Sequence, residues 1–110
     1  MSDPLIPTIT PIELKAELES PNPPKLLDVR EPHELEISRL ANVVHIPLGQ
    51  IPAGVGELDK DAAWVVICRS GMRSAQATEY MLGQGFTNVR NLTSGMNGYA
   101  QTADSSYSVY

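Results

Sequence analysis

The sequence predicts an α/β domain built around a small parallel β-sheet flanked by helices on both faces. Three observations carry that expectation. Short β-branched and apolar runs alternate along the chain with segments of helical spacing, the pattern of successive βαβ units. One run, Ala63–Cys68, is apolar along its length, as suits a central strand covered on both sides. The chain has 110 residues, 42% of them hydrophobic, which is enough for one core and too short for two domains. Residues 1–110 are therefore expected to form one domain, with a core over about 9–100.

Each element follows in order. Thr8–Glu13 reads as a short extended piece running into a helix, with Thr10 as N-cap, Pro11 at the first helical position and Glu13 closing a capping box. Ile12, Leu14 and Leu18 supply its apolar face, and Pro21 with Pro23-Pro24 ends it. Leu26–Arg30 reads as a strand, Glu31–Ile37 as a short helix with Pro32 in its first turn, and Asn42–Ile46 as a second strand stopped by Pro47. Gln50–Leu58 allows only a loose helical turn, because Pro52, Gly54 and Gly56 interrupt it. After the central strand, Ser74–Gln84 reads as a helix with Ala75, Ala77, Thr78, Met81 and Leu82 inward and Gly85 as its stop. Val89–Leu92 is a last strand and Met96–Gln101 a last helix. Residues 102–110 are polar and aperiodic, a tail expected to be loose or partner-dependent.

Composition excludes several function classes. The net charge of −5 argues against a general nucleic-acid binder, which needs a basic face to displace counterions. No apolar run approaches the roughly 20 residues of a membrane span. Met1–Pro4 has neither a basic flank nor an apolar stretch, so no signal peptide is expected and a cytoplasmic location is. A single cysteine rules out an internal disulfide, a CxxC redox pair and a multi-cysteine zinc site. His33 and His45 are too isolated to suggest a metal, and no cofactor is expected. Residues 1–60 carry ten acids against five bases, whereas residues 61–110 carry three of each, so the whole excess lies in the first half.

The thiol lies in the balanced half, where chemistry is expected. In open α/β sheets ligands bind beyond the carboxyl ends of the strands. Cys68-Arg69-Ser70-Gly71-Met72-Arg73 occupies such a position, between the central strand and the helix that follows. The five N–H groups of residues 69–73 can curl around the sulfur if Gly71 relaxes the backbone, making a concave anion site. The helix N-terminus and the charges of Arg69 and Arg73 favour the anionic, nucleophilic form of Cys68. A lone cysteine closing an apolar strand is ordinarily a small buried hydrophobe, but the arginine-flanked, Gly-containing loop favours a reactive site. A Cys-x5-Arg loop fits a tetrahedral phosphate; this Cys-x4-Arg ring is one residue shorter and leaves room for one extra sulfur.

Cys68–Ser74 resembles the active-site loop of rhodanese-type sulfurtransferases. Leu27–Glu34 resembles their upstream motif, His45–Leu48 the segment after it, and Gly85–Val89 leading to Leu92 and Gly95 the end of the domain. The likeness runs from about Ile9 to Ala100, with departures at Ser38–Val43, at Ser94 where the family has glycine, and at Tyr99 in place of tryptophan. Asp28–Leu35 and the tyrosine-ended tail also resemble the C-terminal rhodanese module of enzymes that adenylate ubiquitin-like sulfur-carrier proteins.

The resemblance implies a sulfurtransferase. Cys68 would take sulfur from a small anionic donor, thiosulfate or another persulfide, hold it as a persulfide cradled by residues 69–73, and pass it to a thiol or a sulfur-carrier protein. An adenylyltransferase domain is the further partner it suggests. Arg69 and Arg73 would orient the donor, and Ser70 would bond the persulfide or satisfy the loop backbone. Asp28 and Arg30 would brace the loop, a structural salt bridge being the competing reading; Glu31 and Glu34 read as capping, solvated residues. Two other functions stand beside this one: a non-catalytic binding module that keeps the fold, and a cysteine-dependent phosphatase or arsenate reductase, which the loop length disfavours.

Overall fold

Among the described residues five strands, all parallel, form one sheet; in chain order the neighbours across it run first, fifth, fourth, second, third. The strands are β1 (Thr8–Ile9), β2 (Lys25–Asp28), β3 (Val44–His45), β4 (Trp64–Ile67) and β5 (Val89–Leu92). The helices are α1 (Pro11–Leu18), α2 (Pro32–Ile37), α3 (Ile51–Gly54), α4 (Met72–Gly83) and α5 (Gly95–Thr102). The structure, a computed structural model, describes residues 6–110. Met1–Pro4, on which the expected absence of a signal peptide rests, lies outside the described residues. Among the described residues no helix is long and apolar enough to cross a membrane.

Local chemistry explains the helix ends. Thr10 and Glu13 close the expected capping box, with the Glu13 N–H on Thr10 Oγ1 at 3.2 Å and the Thr10 N–H on Glu13 Oε1 at 3.0 Å. At the far end of α4 the Phe86 N–H reaches the Met81 carbonyl at 3.1 Å and the Gly85 N–H reaches Leu82 at 3.3 Å, a Schellman stop.

β4 is the central strand, and all four of its residues are buried. Its side chains alternate between two cores. Trp64, Val66 and Cys68 pack with Ile51 and Val55 of the α3 segment and with Ala77 and Met81 of α4. Val65 and Ile67 pack on the other face with Leu14 of α1 and with Met96 and Tyr99 of α5. Helices therefore cover both faces, as the sequence predicts. The chain steps from β2 outward to β3 on one side, and from β4 to β5 on the other. The connections leaving β2 and β4 therefore diverge, and the carboxyl ends at such a switch point are where open α/β sheets place their ligand sites.

Several expectations are corrected. Ile12, read as inward, is 62% exposed, because α1 buries only the stripe of Pro11 and Leu14. α4 begins at Met72 rather than Ser74, since the loop turns at Gly71 and the helix starts at once. Ala75 and Leu82 are only half-buried. The strand expected over Asn42–Ile46 shrinks to two edge residues, with Asn42 turning through a φ of 64°. Lys15 of α1 donates to the Ala103 carbonyl at 3.1 Å. The tail expected to be loose folds back on the domain. Tyr107 meets Tyr99 edge to face, with ring centroids 5.7 Å apart, and the Tyr110 backbone pairs with the Asn97 side chain.

Candidate active site

Cys68 directly follows β4, at the carboxyl end of the sheet, and is 1% exposed. Two donors surround its sulfur. The Gly71 N–H lies 3.0 Å from Sγ, and the Ser74 hydroxyl 3.3 Å from it. Ser74 itself is wholly buried and also bonds Asn91 Oδ1 from β5, while Asn91 Nδ2 donates to the Gly71 carbonyl at 3.1 Å. One strand residue thus ties both of the sulfur's neighbours.

The loop holds its shape because its carbonyls are claimed from outside. The Met96 N–H donates to the Cys68 carbonyl at 2.8 Å, and the Asn97 N–H to the Arg69 carbonyl at 3.0 Å. With those acceptors taken, the N–H groups of Arg69, Ser70, Met72, Arg73 and Ser74 have no acceptor among the described residues. Ala75 is the first residue of the α4 turn to find one, in the Gly71 carbonyl at 3.2 Å. Of the five N–H groups expected around the sulfur, one, that of Gly71, bonds it. Open donors at a helix start make an anion site.

Two glycines permit this geometry. Gly71 turns through a φ of +103°, where a Cβ would lie 3.2 Å from the Ser94 nitrogen. Gly95 carries α5 so close beneath the loop that a Cβ would sit 2.5 Å from the carbonyls of both Cys68 and Arg69. The family's preceding glycine is Ser94 here; it too has positive φ, but its side chain is exposed.

The arginines separate in role. Arg73 makes a two-pronged pair with Glu34 at 2.7 and 2.8 Å. The hydrogen bonds from Arg73 hold the Glu34 carboxyl down at about 2, against the desolvation of its buried position, and the Arg73 pKa is raised in turn by Glu34. Arg69 is exposed, and its guanidinium lies 5.1 Å from the centroid of the Tyr110 ring. Ser70 is exposed and forms no hydrogen bond to the sulfur; the hydroxyl beside the sulfur is that of Ser74. Met72 is 74% exposed at the first position of α4.

Asp28 and Arg30 form a wholly buried ion pair at 2.9 Å, and neither touches Cys68. Arg30 also donates to the Glu34 carbonyl at 3.3 Å, the Ser38 carbonyl at 2.6 Å and the Tyr110 hydroxyl at 2.8 Å. Burial opposes the Arg30 charge, yet the bonds to Asp28 and Tyr110 outweigh it and its pKa is raised. The Tyr110 hydroxyl in turn donates to Glu34 Oε2 at 2.9 Å. His45 packs with Nε2 2.6 Å from the Arg30 carbonyl oxygen.

Sequence reasoning missed three contributors. Glu34 does cap α2, its Oε1 accepting the Glu31 N–H at 2.9 Å, but it is 7% exposed rather than solvated. Asn91 offered no signal inside a strand run. Tyr110 carried a signal only as the end of the tyrosine-ended tail, which said nothing of its contacts with Arg30 and Glu34.

Comparison with known proteins identifies the family. The sequence profile of the "Rhodanese-like domain" matches residues 10–102. A Bacillus subtilis protein named "Putative sulfurtransferase YtwF" is 42% identical over 91 residues, which span 83% of this chain and 87% of that one. The "Putative sulfur carrier protein YrkF" of the same organism is 38% identical over 94 residues, 86% of this chain and 51% of that one. The "Probable adenylyltransferase/sulfurtransferase MoeZ" of Mycobacterium tuberculosis is 35% identical over 96 residues, which cover only 24% of its length. The crystal structure of a rhodanese-like domain protein from Staphylococcus aureus superposes with a TM-score of 0.81 at 30% identity, covering 86% of this chain and 91% of that one.

Proposed function

The chain belongs to the rhodanese-like domain family, and from that premise we propose that it is a sulfurtransferase carrying sulfane sulfur as a persulfide on Cys68. One observation supports the reading most directly. The only thiol of the chain accepts the Gly71 N–H, stands beside the Ser74 hydroxyl, and lies next to a helix start whose first N–H groups have no acceptor among the described residues.

The Cys68 thiolate attacks the outer sulfur of a donor such as thiosulfate. A Cys68–sulfur bond forms, the donor's sulfur–sulfur bond breaks, and sulfite leaves with the bonding pair. The terminal sulfur now bears the negative charge, which the N–H groups of residues 69–73 would stabilise. An acceptor thiolate then attacks that outer sulfur, leaves as a persulfide, and returns Cys68 as thiolate. A sulfur-carrier protein is the second class of acceptor, and an adenylyltransferase is the partner that would activate its C-terminus; the relatives named for those functions support both. A reduced catalytic thiol suits a cytoplasmic setting.

Intact-mass measurement after incubation with thiosulfate, and separately with a low-molecular-weight persulfide, tests the reading. The expected result is a gain of one sulfur on Cys68, removed by cyanide or a thiol. Absence of any adduct with either donor, or undiminished transfer by Cys68→Ser, sinks it.

A further inference from the structure

The three arginines near the site are not equivalent. Arg30 is buried against Asp28, and Arg73 is paired by both prongs with Glu34. Arg69 has no carboxylate partner among the described residues. It is the cation whose charge is uncompensated at the loop, and its guanidinium faces an aromatic ring. That ring belongs to Tyr110, which is fixed at both ends. Its hydroxyl lies between Arg30 Nη1 at 2.8 Å and Glu34 Oε2 at 2.9 Å. Its backbone N–H and oxygen are both held by the Asn97 side-chain amide at 2.9 Å. The same Asn97 donates its own N–H to the Arg69 carbonyl. One residue therefore locates both the main chain of Arg69 and the ring on which its side chain rests.

We propose that Tyr110 is a positioning residue that seats Arg69 as the cation reading the anionic sulfur donor. The inference rests on the sulfurtransferase reading for the identity of the anion; the seat itself rests on the contacts above. A guanidinium on a flexible stem loses rotamer freedom when it binds an anion, and a face-on ring bears part of that cost beforehand. Arg73, already neutralised by Glu34, contributes shape to the loop rather than free charge to the donor.

The test is thiosulfate binding to the full chain carrying Cys68→Ser, which cannot form the adduct, followed at low salt by the Ser70 and Gly71 amide resonances. Arg69→Ala weakens binding by about tenfold or more, the scale of a charge-assisted contact. Tyr110→Ala weakens it by about two- to fivefold, the scale of an exposed cation–π contact, and Tyr110→Phe restores most of the loss because it keeps the ring. In the Arg69→Ala background Tyr110→Ala has little further effect, which a merely structural role of the tail would not produce. Equal weakening in both backgrounds, no weakening by Tyr110→Ala, or no thiosulfate binding by the Cys68→Ser parent overturns the proposal. The wild-type mass experiment is independent of these outcomes: a persulfide without the coupling leaves the function standing, and the coupling without a persulfide leaves only the seat.

Discussion

Ser74 has one hydroxyl proton and two acceptors within reach, Cys68 Sγ and Asn91 Oδ1. With a protonated thiol it can serve Asn91 and accept from the sulfur; with a thiolate it is the donor the sulfur needs. Ser74→Ala removes that donor from a wholly buried position and strands Asn91, so a loss of about 1–3 kcal/mol in urea unfolding is expected. Persulfide formation should slow as well, and an unchanged rate would deny Ser74 a part in the chemistry. Glu34 supplies a prediction in pH. Its carboxyl sits at about 2 in the fold against an ordinary 4.5, because Arg73 bonds its anion. The unfolded chain therefore binds more protons in that window, so the stabilisation is complete above about 4.5 and disappears as pH falls toward 2. Unfolding midpoints measured down that range should fall more steeply for wild type than for Glu34→Gln; parallel curves would remove the pair from the acid response. At this scale the sequence exposed Cys68 and its loop, whose signal is local. It concealed Glu34, whose partner lies 39 residues away and whose capping pattern already gave it an occupation.

The loop, α4 and α5 are best understood as one unit. Caps and proline positions make the helices legible, and an uninterrupted apolar run makes β4 legible, because each signal is contained within its own segment. The start of α4 was misplaced by two residues for a related reason: arginine and methionine carry no boundary signal, whereas Gly71, with its φ of +103°, sets the true N-cap. Gly71→Ala should cost about 1–3 kcal/mol by forcing a side chain into left-handed backbone, and should displace the N–H that meets the sulfur. Gly95→Ala should be worse, since its Cβ would overlap two carbonyls of the loop rather than graze one nitrogen. Thermal unfolding of both variants ranks them, and a Gly95→Ala protein as stable as wild type would contradict the packing described. The close approach of α5 could not be read from spacing, because it depends on where β5 delivers the chain.

Across the molecule, the parallel order and the helices on both faces were legible, while the course of residues 102–110 was not. Polar, aperiodic sequence looks loose until its tyrosines find Tyr99, Arg30 and Glu34 in the folded domain. The single cysteine has a consequence at this scale too. No second thiol can displace sulfur from Cys68 by closing an internal disulfide, so a persulfidated chain freed of small molecules should hold its sulfur until an outside thiol or cyanide is added. Mass spectra taken over time after desalting check this, and spontaneous return of the monomer to the parent mass would oppose it. Finally, the bonds by which Met96 and Asn97 claim the carbonyls of Cys68 and Arg69 bear on portability. The hexapeptide does not encode its own shape; a helix from the end of the chain imposes it. Transplanting Cys68–Arg73 alone onto the strand–helix junction of another α/β host should yield a cysteine in a floppy turn, and a working graft would have to bring the start of α5 along as a second, non-contiguous piece.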